Sequence, residues 1–458
     1  MRRRKTKNGA PLPPEARRAL WVIFLTLFID LVGFSIIFPL FPAMLTFYRD
    51  TAGDTGLFAM LYSALDRLTG AMGSPEGEWG IIVLFGGALG AVYSLLQFLF
   101  APIIGRLSDR YGRRPVLLVG LTGMALSHAL WFFAGSFGLL VVARLLGGAM
   151  SGNIATATAV VADVTDQRNR SRGMAIIGIA FGFGFIGGPV LGGVLASVDL
   201  THMWPGLARW GVNPFSMPAA AAMLLALFNV SQLAFRFRES RPAGAPYAGR
   251  VRRTANPLAL FRLRGYGGVG RVNAAYFLFF VAFSGMEFTL TFLAVDRLGY
   301  TPRQNAWMFL FVGTLSALVQ GGYVRRLAPR IGARAMALHG LICTAPGLLL
   351  IGAAGQWQSA TILYAGLALL ALGMAQVAPC FTALASVYAP PEEQGRALGA
   401  FRSVGALSRA VGPLIGAVLY WRLGGGITYL CTGLFIVLPF GIALTFPPEP
   451  DHAQPTDL

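Results

Sequence analysis

The chain is predicted to be an all-α membrane protein, with twelve transmembrane helices in two pseudo-symmetric six-helix bundles. Three observations predict this. Hydrophobic residues make up 55% of the 458 and charged residues only 12%, where a soluble protein carries about 25% charged. The apolar residues gather in twelve runs long enough to cross a bilayer. Finally, Ser171–Leu195 aligns without gaps to Gly395–Leu419, with Arg172/Arg396, Gly188/Gly412, Pro189/Pro413, Gly192/Gly416, Val194/Val418 and Leu195/Leu419 identical. The fifth and eleventh runs are therefore equivalents, as two parallel six-helix repeats require.

The runs lie at roughly 19–46, 79–104, 115–134, 137–162, 173–197, 215–235, 272–294, 304–324, 335–354, 360–386, 396–420 and 427–446. They divide the chain into a basic tail (1–18), a first bundle (19–235), a linker (236–271), a second bundle (272–446) and a short tail (447–458). With the N-terminus inside, the outside connections hold only Arg49, Arg67, Arg209, Arg297, Arg303 and Arg422, and the helices hold Arg144, Arg402 and Arg409. Every other Lys and Arg of the 37 lies on one side, which orients that side and both termini to the cytoplasm. The same asymmetry accounts for the net charge of +18 without a nucleic-acid partner. The linker's nine arginines suit contact with anionic lipid of the bilayer. The high ratio of Arg to Lys hints at a GC-rich bacterial genome and hence a bacterial inner membrane. Cys343, Cys380 and Cys431 sit in apolar runs, so there is no disulfide framework, no metal spacing and no cofactor to expect.

In chain order, Arg2-Arg3-Arg4-Lys5 resembles a signal-peptide n-region, but the apolar run after it is too long for an h-region. An uncleaved anchor is expected. The first helix carries Asp30 ahead of Gly33, Phe34, Pro39 and Pro42. A carboxylate inside a span faces a cavity, or else a packing partner. In the outside stretch 47–78, Leu57 to Leu68 has the pattern of an amphipathic helix on the membrane surface. Gln97 lies in the second helix. The fourth carries Arg144, Gly148 and Asn153 and ends at Asp163. An arginine within a span needs a buried partner. The fifth holds Gly184, Gly187, Gly188, Pro189, Gly192 and Gly193, with the small residues at 184, 188 and 192 forming one close-packing face. The seventh carries Phe283, Met286 and Glu287. On the eleventh, residues 402, 405, 409, 412 and 416 share a face that reads Arg, Gly, Arg, Gly, Gly, where the repeat has Gly178, Phe181, Phe185, Gly188 and Gly192. The repeat thus does not demand arginines there.

Between the second and third helices stands Gly105-Arg-Leu-Ser-Asp109-Arg110-Tyr-Gly112-Arg113-Arg114-Pro115. Gly112 supplies a tight turn, and Pro115 suits the first turn of the next helix. Asp109 is an acid among cations. Either it neutralises them, or it is a charge latch: Arg113 or Arg114 would pair with Asp163, and Asp109 would meet the positive end of the eleventh helix near Gly395 and Arg396. A degenerate echo, Arg330-Ile-Gly332-Ala-Arg334, lacks the acid, with Pro329 in its place.

This loop resembles the loop 2–3 motif of the major facilitator superfamily. Asp30-Leu-Val-Gly33 with its two prolines, and Tyr93 to Pro102, resemble the tetracycline-efflux branch. Phe283 to Leu290 and Phe401 to Pro413 look like the animal tetracycline-transporter-like (TETRAN-like) proteins. The resemblance covers nearly all twelve helices. It implies the major facilitator fold, a proton-transfer role for Arg144, and an antiporter-type motif at Gly184, Gly188, Pro189, Gly192 and Gly193. One departure is that helix nine, Met336-Ala-Leu-His339-Gly-Leu-Ile-Cys343, lacks the acid on which tetracycline antiporters depend.

The expected function is secondary active transport: proton-coupled efflux of small amphiphilic drugs or organic anions by alternating access. The alternative is an exchange- or proton-coupled carrier of an endogenous organic anion or lysolipid. Asp30, Glu287 and Arg144 would serve proton coupling, since loss of hydration favours a neutral carboxyl that can load and release a proton. Phe34, Gln97, Asn153, Phe283, Met286, Arg402 and Arg409 are expected at the substrate. Gly105, Asp109, Arg110, Gly112, Arg113, Arg114 and Asp163 would form the latch. A monomer is expected, with protons and a small molecule as partners. A membrane enzyme would need a metal cluster, a Ser/His/Asp arrangement or a phosphate loop, none of which the sequence offers. A receptor or scaffold would have no use for Asp30, Arg144, Glu287 and Arg409 inside the spans.

Overall fold

A computed structural model describes residues 13–52, 56–70, 77–165, 170–240, 268–390 and 394–448. Most of both tails and residues 241–267 of the linker lie outside these. Among the described residues, twelve helices are long and apolar enough to cross a membrane. They form two six-helix bundles. α1 runs from Pro14–Ser35, turns through a 3-10 segment at Phe38–Leu40 and continues as Phe41–Ala52. Pro39 has no N–H to continue the ladder, which accounts for the change of winding. α2 is Gly77–Tyr111, α3 Arg113–Phe132, α5 Arg170–Leu195 and α6 Ser216–Arg236. α4 comprises Phe137–Met150 and Asn153–Val164, broken at Ser151 and Gly152. The second bundle holds α7 (Val269–Leu298), α8 (Pro302–Leu318), α9 (Ala333–Trp357), α10 (Ala360–Val387), α11 (Gln394–Leu423) and α12 (Gly425–Phe435 and Val437–Leu444). α8 widens into a π-helical turn at Val319–Val324, where Gly321 and Gly322 fall. The single spans read for the first, fourth, eighth and twelfth helices are thus interrupted, the first three at a proline or glycine and the last at Ile436.

The predicted surface helix spans Leu57–Gly70. It does not merely lie on a bilayer: Phe58 is buried against Phe85 of α2 and Phe137 of α4, at centroid distances of 5.0 and 5.1 Å.

The repeat is visible as matched backbone contacts. A Cβ on Gly188 of α5 would overlap Ser35 and stand 2.6 Å from the Val32 carbonyl of α1. On Gly412 of α11 it would stand 2.7 Å from the Val281 carbonyl and 2.9 Å from Ser284 of α7. Each half therefore uses its Gly-Pro pair to seat one helix against the backbone of another. The bundles meet at glycines too, on the side away from the termini. Gly87 of α2 abuts Ala417 and the Pro413 carbonyl of α11, and Gly193 of α5 abuts Ala306 and the Pro302 carbonyl of α8. Toward the termini, Arg402 of α11 donates a 2.7 Å hydrogen bond to Thr158 of α4.

Candidate functional site

The break in α4 starts a new helix at Asn153, whose amide lies 3.5 Å from the Asp30 carboxylate of α1. One turn beyond Asp30, Gly33 leaves room for the ring of His128 from α3, whose Nε2 would be 2.9 Å from a Cβ there. His128 is buried, and sequence reading passed over it. Arg144, also buried, stacks over the Tyr93 ring at 4.5 Å. Its partner is thus an aromatic face: among the described residues it makes no ion pair.

Between the bundles lies a cavity walled by Phe34, Phe38 and Phe41 of α1 and the segment after it, Tyr93 of α2, Phe185 of α5 and Phe288 of α7. Five polar side chains join them: Ser94, Arg144, Ser284, Glu287 and Arg409. The Arg409 guanidinium sits in an aromatic cage, 5.5 Å from the Phe181 ring, 4.9 Å from Phe185 and 5.1 Å from Phe280. Two of these rings come from the opposite bundle. Its Nε is buried without a hydrogen-bond partner among the described residues. Among the described residues neither Arg409 nor Glu287 makes an ion pair. A guanidinium held on ring faces keeps its N–H groups largely available to an acceptor. The water-sized space in the cavity is about 50 Å³, room for a few waters against the ~300–1,000 Å³ of a drug-sized site. The bundles must part to admit a substrate.

Of the residues expected at the substrate, Phe34 and Arg409 line this cavity, with Glu287 and Arg144 from the expected coupling set. Gln97 lies 3.5 Å from the Ser151 carbonyl, Asn153 serves Asp30, and Arg402 serves Thr158. Met286 is 4% exposed in the core, and Phe283 packs on Phe280. The cage was partly foreshadowed: Phe181 and Phe185 are the repeat positions matching Gly405 and Arg409.

In the loop after α2, the Arg113 guanidinium is shared by Asp109 at 2.5 Å and Asp163 at 2.9 Å. Arg114 does not join them but donates to the Ala234 carbonyl at the end of α6, at 2.6 Å. Sequence reading missed Glu239, which accepts the backbone N–H of Arg113 at 2.9 Å and of Arg114 at 3.0 Å. A carboxylate is well placed at these free donors of a helix start. Gly112 turns at φ +100° and Gly332, in the echo, at φ +87°. Arg334 caps the end of α12 through the Leu444 carbonyl at 2.6 Å, as Arg114 caps α6. The echo thus keeps the turn and the cap. The surroundings of Gly395 and the side chain of Arg396, where Asp109 was expected to dock, lie outside what the structure describes. In α9, where the sequence lacks an acid, His339 Nδ1 stands 2.7 Å from Gln376 of α10.

Twelve spans in two related halves around a shared, aromatic-walled cavity with charged groups in it define a membrane carrier. The chain belongs to the major facilitator superfamily: residues 23–413 match that family's model, and 324–458 match it again. It is 37% identical to human major facilitator superfamily domain-containing protein 10, over 96% of each chain. It is 26% identical to the class C tetracycline resistance protein of Escherichia coli, over 91% of this chain and 96% of the other. Its fold resembles the crystal structure of the human organic anion transporter MFSD10 (TETRAN), with a TM-score of 0.74 at 35% identity, over 94% of this chain and 100% of that one. The protein is thus a multi-pass membrane transporter of small molecules and not an enzyme.

Proposed function

We propose that the chain carries small amphiphilic organic anions by alternating access, with transport linked to protons through Glu287 or Asp30. The observation that carries this is the cavity itself: Arg144 and Arg409 line one aromatic chamber, and neither makes an ion pair among the described residues. An anion with an aromatic body meets both needs, charge for the guanidinium and flat apolar surface for the rings. The relative described as an organic anion transporter supports the same reading. Residues 19–235 and 272–446 would rock against each other about the joint at 236–271, in a monomer with both termini in the cytoplasm of a bacterial inner membrane. A second reading, efflux of amphiphilic drugs in exchange for protons, draws on Gly184, Gly188, Pro189, Gly192 and Gly193 and on the tetracycline resistance relatives.

The test uses 2-naphthalenesulfonate, a permanent anion, and tetraphenylphosphonium, a permanent cation. Arg409→Ala should weaken naphthalenesulfonate binding by about 10- to 100-fold, as for loss of a hydrogen bond to a charged group, and leave the phosphonium unharmed. Equal loss of both ligands would make Arg409 a structural residue and remove the reading's main support.

A further inference from the structure

Glu287 shares its cavity with the two arginines that would hold an anion. It is the single carboxylate lining that cavity among the described residues, since Asp30 is turned to Asn153. The charged and titratable groups packed around it are Tyr93 of α2, Arg144 of α4 and Arg409 of α11, all in the same cavity. Tyr429 of α12 donates its hydroxyl to the Met286 carbonyl at 3.2 Å, and Tyr276 of α7, stacked on Phe401 of α11 at 3.9 Å, lies within electrostatic reach of Arg409. The cavity therefore holds two fixed positive charges and one negative charge that a proton can remove.

We infer that an organic anion and a proton bind this cavity together, so that the carrier moves them in the same direction. This rests on the anion reading above. With Glu287 ionised, an arriving anion meets a like charge inside a small, water-poor chamber and competes with it for Arg409. With Glu287 protonated, the anion meets only the arginines. The proton comes from water and stays on the Glu287 carboxyl while the anion is bound. Linkage is reciprocal: if protonation strengthens anion binding, the anion strengthens protonation by the same factor. Exchange of anion for proton would need the two ligands to exclude each other, and this arrangement makes them cooperate. An acidic exterior would then draw anions inward, the opposite of proton-driven export.

The full chain in lipid nanodiscs is titrated with 2-naphthalenesulfonate, which carries no proton of its own near neutral pH. Binding is read by calorimetry and proton exchange by a pH dye in weak buffer. Wild type should take up close to one proton per anion bound, and its Kd should rise by about tenfold per pH unit once Glu287 is ionised. Glu287→Gln should bind as tightly as wild type does at acid pH, with neither proton uptake nor pH dependence. Its retained binding also shows that it folds, and the wild-type pH dependence stands without it. Asp30→Asn should leave proton uptake in place. Proton release, no proton exchange, or uptake that survives in Glu287→Gln would each overturn the inference while leaving the anion site intact. Failure of the sulfonate to bind wild type at all would overturn the anion reading and the inference with it.

Discussion

Single glycines in this chain range from those that hold backbone against backbone, through those that make room for a side chain, to those that face open space. A Cβ on Gly192 would run into the Ile36 carbonyl of α1, whereas Gly178, on the same helix, has nothing within 4 Å. Gly192→Ala should therefore lower stability by about 1–3 kcal/mol, the usual range for overpacking. Gly178→Ala should be neutral or stabilising by up to about 1 kcal/mol, because alanine loses less entropy in a helix. Thermal unfolding in detergent reads both, and an equal fall in the two would show that the close approach of α5 to α1 is not what Gly192 serves. At this scale the sequence was informative where spacing constrains chemistry. The pairing of Asp163 with Arg113 or Arg114 could be anticipated from the loop motif, though not that Arg114 would cap α6. The cavity face of α7 could not be read. That helix is apolar nearly all round, with 72% of its most apolar window buried, so no polar stripe sets its phase. The face proves to be Ser284, Glu287 and Phe288, and Phe283 and Met286 lie about 100° away from Ser284 and Glu287 respectively.

Between elements, the loop after α2 combines two jobs that can be separated by substitution. Glu239 fastens the start of α3 through two backbone donors, which is scaffold work. Asp109 and Asp163 share one guanidinium, and Asp109 is the member expected to meet the start of α11 and so to respond to movement between the bundles. Glu239→Ala should lower thermal stability by about 0.5–2 kcal/mol, as for a lost helix cap, and leave the ratio of inward- to outward-facing protein unchanged. Asp109→Asn should do the reverse, keeping stability while raising thiol labelling from the side of the termini and slowing transport. A large stability loss in Asp109→Asn would make it part of the scaffold instead. The echo in the second half supports the division. Gly332 and Arg334 keep the turn and the cap, while Pro329 and Ala333 stand where the first half has Asp109 and Arg113. Sequence alone located Gly105 to Pro115 but not Glu239, which is 125 residues from Arg114 and carries no local pattern to mark it.

Across the whole molecule, the bundles touch through small residues on the side away from the termini, and this gives a direct handle on the transport cycle. Gly87→Leu would wedge α2 from Ala417 and Pro413 of α11. In a background with Cys343, Cys380 and Cys431 replaced, Ser94→Cys should then react faster with an impermeant thiol reagent added from that side. Unchanged labelling would mean that Gly87 does not hold this face shut. The twelve-helix architecture was legible because hydropathy and positive-charge asymmetry are long-range patterns. The cavity was less so, because it is assembled from six helices, two of them broken, whose rotations only packing decides.

The tightness of that cavity bears on something other than substrate choice. Space for a few waters, walled by six aromatic rings, cannot sustain a continuous file of water through the protein, and narrow apolar constrictions tend to dry. The unloaded carrier is thereby an insulator. Protons and small ions would find no aqueous wire past Phe34, Phe185 and Phe288, so a membrane crowded with idle copies would keep its potential.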